Sequence, residues 1–191
     1  MCTGVAYGDE SMRQSLQPQL YLLCACTVKD GSAASSQLAS LLPRGAQKLH
    51  WRDMDWRLKR KSLRLTADVL GPYCLIVPCA YSGKQERARR KCLEAMLPDL
   101  ENHGLACLVL ESREERDNKR DTSLLLSLRS KRLIGGIDIA HQRGKDNPLL
   151  WLPDQILGAY GDTLCKSPRY ETWENEWELI RPSVEVRGIE I

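Results

Sequence analysis

Apolar and polar positions fall in blocks along the chain, and the blocks change type from one to the next. Residues 20–28 (LYLLCACTV) and 73–81 (YCLIVPCAY) are nearly continuous in apolar residues, the pattern of strands covered on both faces. Residues 105–110 (LACLVL) repeat it, residues 133–140 predict a last core strand, and residues 3–9 predict a short first one. Pro78 inside the second run argues for an edge or a bulge. Helices are predicted over residues 32–42, started by Ser32 and stopped by Pro43, over 53–70, and over 85–102, closed by His103 and Gly104. Another ends near Lys131, and a fifth runs from Asn147 and Pro148 through Tyr160. Residues 47–51 read as a brief extended piece. In the tail, Trp173 and Trp177 share a helix face that seals the domain edge, and residues 183–191 (SVEVRGIEI) alternate as an edge strand would.

Strands and helices that alternate in this way predict an α/β layer architecture. The 191 residues suffice for one domain, here residues 1–165, with residues 166–191 as an extension packed on it. A net charge of +3 is too small to diagnose nucleic-acid binding, so local clusters must carry that argument. No apolar run is long enough to span a bilayer, and residues 1–10 lack the basic and apolar regions of a secretory signal. The expected compartment is the reducing cytoplasm, where the eight cysteines, with no Cys-x-x-Cys spacing, act as small buried apolar residues.

Three acids occupy informative places. Asp9 ends the first strand (AYGDES), Glu111 ends LACLVL (LVLES), and Asp154 interrupts the apolar run LLWLPDQIL. Carboxyl ends of parallel strands converge on the site crevice of an α/β sheet. Converging carboxylates are tolerated when a divalent cation neutralises them, and Mg²⁺ or Mn²⁺ held by oxygen ligands activates water against a phosphodiester.

The stretches AYGDES, LVLES and HQRGKDNPLLWLPDQILGA resemble, in order and position, the bacterial family called domain of unknown function 3800. Its members open with an Asp-Glu-Ser strand and close with an apolar helix carrying Leu-Ala-Asp. The resemblance spans residues 5–159 and implies a ribonuclease H-like fold: a mixed sheet flanked by helices, with a helical insertion at about residues 32–71 between the second and third strands. It implies Asp9, Glu111 and Asp154 as metal ligands, with Glu86 as a further acid on the next helix and Glu94 behind it. Met12 stands where the family has Gly, and Pro153 where it has Ala, so Pro153 either interrupts the last helix or starts a new turn near Asp154.

Further candidates surround this set. Glu10 faces away from Asp9 on a continuous strand, but turns inward if the strand stops there. His50 (KLHWRD) either faces the site or is a packed, hydrogen-bonded histidine, and His141, just past IGGIDIA, is a candidate proton shuttle or phosphate contact. The run ESREERDNKRD reads as a solvated helix face, with Arg113 near enough to Glu111 to reach a phosphate. Arg57, Lys59, Arg60, Lys61 and Arg64 on one helix, and Arg87 and Arg90 on another, form the expected nucleic-acid groove. The expectation is a metal-dependent nuclease or related phosphoryl-transfer enzyme acting on RNA or DNA. Its rival is an adaptor that keeps the fold and binds without turnover.

Overall fold

Strands apolar on both faces need a layer on each side, and the rest of the chain supplies both. The computed structural model describes residues 4–166 and 170–189. In chain order the elements are β1 (Gly4–Arg13), β2 (Leu20–Val28), α1 (Gly31–Ser40), α2 (Trp56–Val69), β3 (Leu70–Ala80), α3 (Gln85–Asn102), β4 (Leu105–Glu111), α4 (Glu115–Ser130), β5 (Asp138–Gln142), α5 (Trp151–Leu164), α6 (Glu174–Ile180) and β6 (Glu185–Val186). The strands form one mixed sheet in the order β5-β4-β1-β2-β3-β6. β1, β2 and β3 are an antiparallel meander, while β4 runs parallel to β1 and β5 parallel to β4.

Side chains alternate across the sheet. Tyr21, Leu23, Leu75, Val77, Leu108 and Leu110 pack under α3 and α4. Leu22, Cys24, Cys26, Cys74 and Ile76 pack under α1, α2, α5 and α6 on the other face. Cys24, Cys26, Cys74, Cys79 and Cys92 are buried with free thiols, as small apolar residues would be. No helix among the described residues is long and apolar enough to cross a membrane.

Local chemistry accounts for the element ends. Asp30 caps α1 by accepting from the Ala33 N–H at 3.0 Å, and Asp55 caps α2 by accepting from Leu58 at 2.8 Å. Asn147 caps a short 3₁₀ turn, Pro148–Leu150, that leads into α5. Pro153 falls in the first turn of α5, where a missing N–H breaks no helical bond, so it starts the turn rather than kinking the helix. Pro78 lies where β3 faces the short β6, and its carbonyl accepts from Ile189 on that outer side.

Four expectations are corrected. Residues 47–50 form no strand; they are an irregular lead into a 3₁₀ turn at Trp51–Asp53. The strand expected over 133–140 begins only at Asp138, because the Glu101 carboxylate accepts from the N–H groups of Gly135, Gly136 and Ile137 (2.8, 2.5 and 2.9 Å) and takes them out of the ladder. β1 does not stop at Asp9 but stays paired with β2 as far as Arg13, so Glu10 turns away from Asp9 and Met12 lies in the strand, not in a turn. The tail does add an edge strand, but only at Glu185–Val186, with a bridge at Ile189; residues 190–191 lie outside the described residues. Trp173 and Trp177 are buried against α2 and α5 as a seal, Trp173 edge-on to Trp51 with centroids 5.1 Å apart.

Trp51 itself depends on a glycine. A Cβ on Gly158 of α5 would fall within the Trp51 ring. Helix propensity alone makes Gly158→Ala stabilising. The seated ring reverses that sign, with an expected loss of roughly 1–3 kcal/mol, read as a lower urea midpoint at unchanged slope. A raised midpoint would show that the ring is not seated there.

Candidate active site at the carboxyl ends of β1 and β4

β1 and β4 are parallel neighbours in register, Gly8 opposite Leu110, so Asp9 and Glu111 follow side by side at their carboxyl ends. Tyr7 packs into the α5 layer, and by alternation Asp9 faces the same way. From that layer α5 presents Asp154, and the long connection between β2 and β3 presents Lys48 and His50.

The carboxylates are held by specific donors. Asp154 Oδ2 accepts from the Trp51 N–H at 2.8 Å and from the Gln155 amide at 3.2 Å, and His50 Nδ1 lies 3.1 Å from Oδ1. Gln155 is anchored in turn by the Ser62 hydroxyl of α2 at 3.0 Å. The Lys48 ammonium is paired with Glu111, whose carboxylate lies against the Gly144 backbone so closely that a Cβ there would collide with it. Asp9 accepts from the Glu10 N–H at 2.8 Å.

Like charges therefore converge, and Asp9 bears most of the cost. Burial, with Asp154 and Glu111 adding repulsion, pushes its carboxyl up to about 8 against the opposing pull of Lys48 and the Glu10 N–H. Burial works against the Lys48 charge, but Asp9, Glu111 and Asp154 outweigh it and hold the ammonium above its usual range. The hydrogen bond to Asp154 raises the proton affinity of His50. Beside Asp154 and His50 opens a cleft of about 430 Å³, lined also by Trp51, Gly158 and residues 10–14.

The other assistants expected from sequence stand elsewhere. Glu10, Glu86 and His141 belong to a second network on the opposite face, under α3 and α4. Arg89 is its centre: it is paired with Glu10 and with both oxygens of Asp121 (3.1 and 2.8 Å). Tyr21 also donates to Glu10. His141 Nε2 lies 3.0 Å from Asp121, and Arg113 joins Glu86 at 2.5 Å to Asp121 at 3.4 Å. Burial opposes the Asp121 charge, but His141, Arg89 and Arg113 outweigh it and lower its carboxyl to about 2. The two networks meet at a notch of about 130 Å³ lined by Gly8, Asp9, Glu10, Arg89, Glu111 and Arg113.

The expected basic groove is also divided. α2 and α3 lie on opposite faces of the sheet, because each must cover one apolar side of β2 and β3. On α2 much of the charge is internally compensated: Lys59 is 3.3 Å from Asp162 and 4.4 Å above the Trp51 ring, while Arg60 and Arg64 hold Glu176 at 2.9 and 2.8 Å. Arg57 and Lys61 stay exposed.

Lys48 escaped the sequence reading, while Asp121, expected on a solvated helix face, and Arg89, one of a basic helix's cations, are instead buried. Asp121 did carry a signal, since it falls on the helical stripe of Leu124, Leu125 and Leu128, all buried. Arg89 was masked by its basic neighbours, and Lys48 sits in irregular chain with no local pattern.

The state of Asp9 predicts a pH dependence. A carboxyl that binds its proton more tightly folded than unfolded stabilises the fold while protonated. Its contribution is complete below about pH 4 and is lost as the pH rises through about 8. Thermal melts from pH 5 to 9 should show wild type losing stability relative to Asp9→Asn as the pH rises; parallel curves would refute the assignment. Comparison with known proteins leaves this geometry to speak alone: no family model, curated protein or solved structure matches the chain.

Proposed function

We propose that this chain is a metal-dependent phosphoryl-transfer enzyme of the nuclease type, built on a ribonuclease H-like sheet and acting on RNA or DNA. Support comes from the strand order β3-β2-β1-β4-β5, with β2 alone reversed, which is the arrangement of that fold. On this reading α1 and α2 are an insertion between the second and third strands. The observation that carries the proposal is the burial of Asp9 beside Asp154 and Glu111: burial, with their repulsion added, lifts its carboxyl to about 8. A divalent cation relieves that repulsion.

The donors fit a hard cation such as Mg²⁺ or Mn²⁺, being carboxylate oxygens on strand ends and a helix start. Among the described residues no three acid, His or Cys side chains yet enclose a metal position, and Lys48 supplies the compensating charge through Glu111. Asp9 and Asp154 would hold the ion, with Glu111 joining on release from Lys48. When bound, it would supply an activated water and charge neutralisation at phosphorus. The protein's own groups have separate tasks. His50 and the Trp51 N–H fix the orientation of Asp154. Lys48 balances the acidic charge, and Arg113 lines the notch beside Glu111 with its guanidinium held by Glu86 and Asp121. The Lys48–Glu111 pair is also the observation that favours the second reading, a nucleic-acid-binding adaptor whose carboxylates are permanently neutralised from within.

Labelled single- and double-stranded RNA and DNA, incubated with Mn²⁺ or with chelator, separate the two. Metal-dependent product is expected from wild type and none from Asp154→Asn, which should still bind. His50→Ala should slow cleavage by about 10–100-fold through a loosened Asp154. Undiminished cleavage by Asp154→Asn would overturn the carboxylate assignment. Salt-sensitive binding by wild type with no product under any metal would establish the adaptor.

A further inference from the structure

A cleft lies away from Asp9 and Asp154, between the start of α3 and the middle of α4. It has a volume of about 520 Å³ and is lined by Glu86, Arg87, Arg89, Arg90, Arg120, Asp121, Ser123, Leu124 and Ser127. That size lies within the range of small-ligand sites. Its chemistry is lopsided, with four guanidinium groups against two carboxylates. Asp121 is saturated by Arg89, Arg113 and His141, so it adds little free negative charge.

The arginines differ in availability. Arg89 is 4% exposed at its side chain and fully committed, which fixes α3 against α4 and makes the floor rigid. Arg87 is exposed and has no carboxylate within ion-pair distance among the described residues. Arg90 pairs with Glu94 within its own helix, and Arg120 with Asp117 and Glu86, in contacts open to solvent that an anion can displace. Three mobile guanidinium forks over a fixed floor match the oxygens of a phosphate. The α2 surface lacks this, because its central cations are held by Asp162 and Glu176.

We propose that the α3–α4 cleft binds a nucleotide phosphate, through Arg87, Arg90 and Arg120. The site goes beyond the proposed hydrolysis and does not require it. Arg89 lines both this cleft and the notch beside Asp9 and Glu111, so a strand seated in the cleft leads toward the carboxylates.

The test reads binding without turnover, in chelator and low salt. One arm follows the anisotropy of a fluorescein-labelled single-stranded hexanucleotide, and the other titrates ATP by calorimetry. Arg87→Ala/Arg120→Ala, both exposed and so expected to leave the melting curve unchanged, should weaken binding at least about tenfold and flatten its salt dependence by roughly one unit per lost phosphate contact. Arg57→Ala/Lys61→Ala on the opposite face should bind as wild type does. Binding of ATP identifies a free-nucleotide site; binding of the hexanucleotide alone identifies a strand track, and either supports the proposal. It is overturned if wild type binds neither probe, or if the α2 variant loses as much affinity as the cleft variant. Because no cleavage is measured, failure of the nuclease reading leaves this result intact, and the reverse also holds.

Discussion

Two consecutive carboxylates within the central strand, Asp9 and Glu10, where its pairing with β4 ends, have to be accommodated on opposite faces of one sheet. Strand alternation leaves no choice in this once β1 stays paired with β2 as far as Arg13. Each face then needs its own positive partner, because an unpaired buried charge is far costlier than a paired one. Lys48, among the carboxylates of Asp9, Glu111 and Asp154, serves one side; Arg89, between Glu10 and Asp121, serves the other. Much of the polar architecture follows from these two solutions.

The solutions differ in kind, and the difference separates their roles. Around Arg89 each carboxylate has a guanidinium partner: Glu10 and Asp121 flank Arg89, Arg113 also reaches Asp121, Tyr21 and His141 add bonds, and the Asp121 carboxyl is lowered to about 2. A paired buried network of this kind fixes geometry. Around Asp9 the neutralisation is of another kind: burial, with repulsion from Asp154 and Glu111 added, keeps the proton on Asp9 to about 8. On the proposed reading, a divalent cation would replace that proton.

Packing constrains where basic surface can exist. α2 and α3 are both rich in Lys and Arg, yet they cover opposite faces of the sheet and cannot border one groove. α2 spends Lys59, Arg60 and Arg64 on docking α5 and α6. α3 keeps Arg87 and Arg90 outward, facing Arg120 across the cleft.

The one-dimensional pattern determined a great deal. The buried runs of β2, β3 and β4 were legible because strands covered on both faces must be continuously apolar, and α3 because its closing His103-Gly104 is a local signal. That Asp9 and Glu111 follow neighbouring parallel strands was legible too, from the apolar runs that precede them. Other features depended on partners far away in sequence. The start of β5 was decided by Glu101, the length of β1 by β2, and the placement of Glu10, Glu86 and His141 by Arg89 and Asp121. Lys48 entered the acidic cluster from irregular chain, where no periodicity constrains a side chain. Local patterns encode which face of an element is buried; only the assembled fold decides which charge on another element stands opposite it.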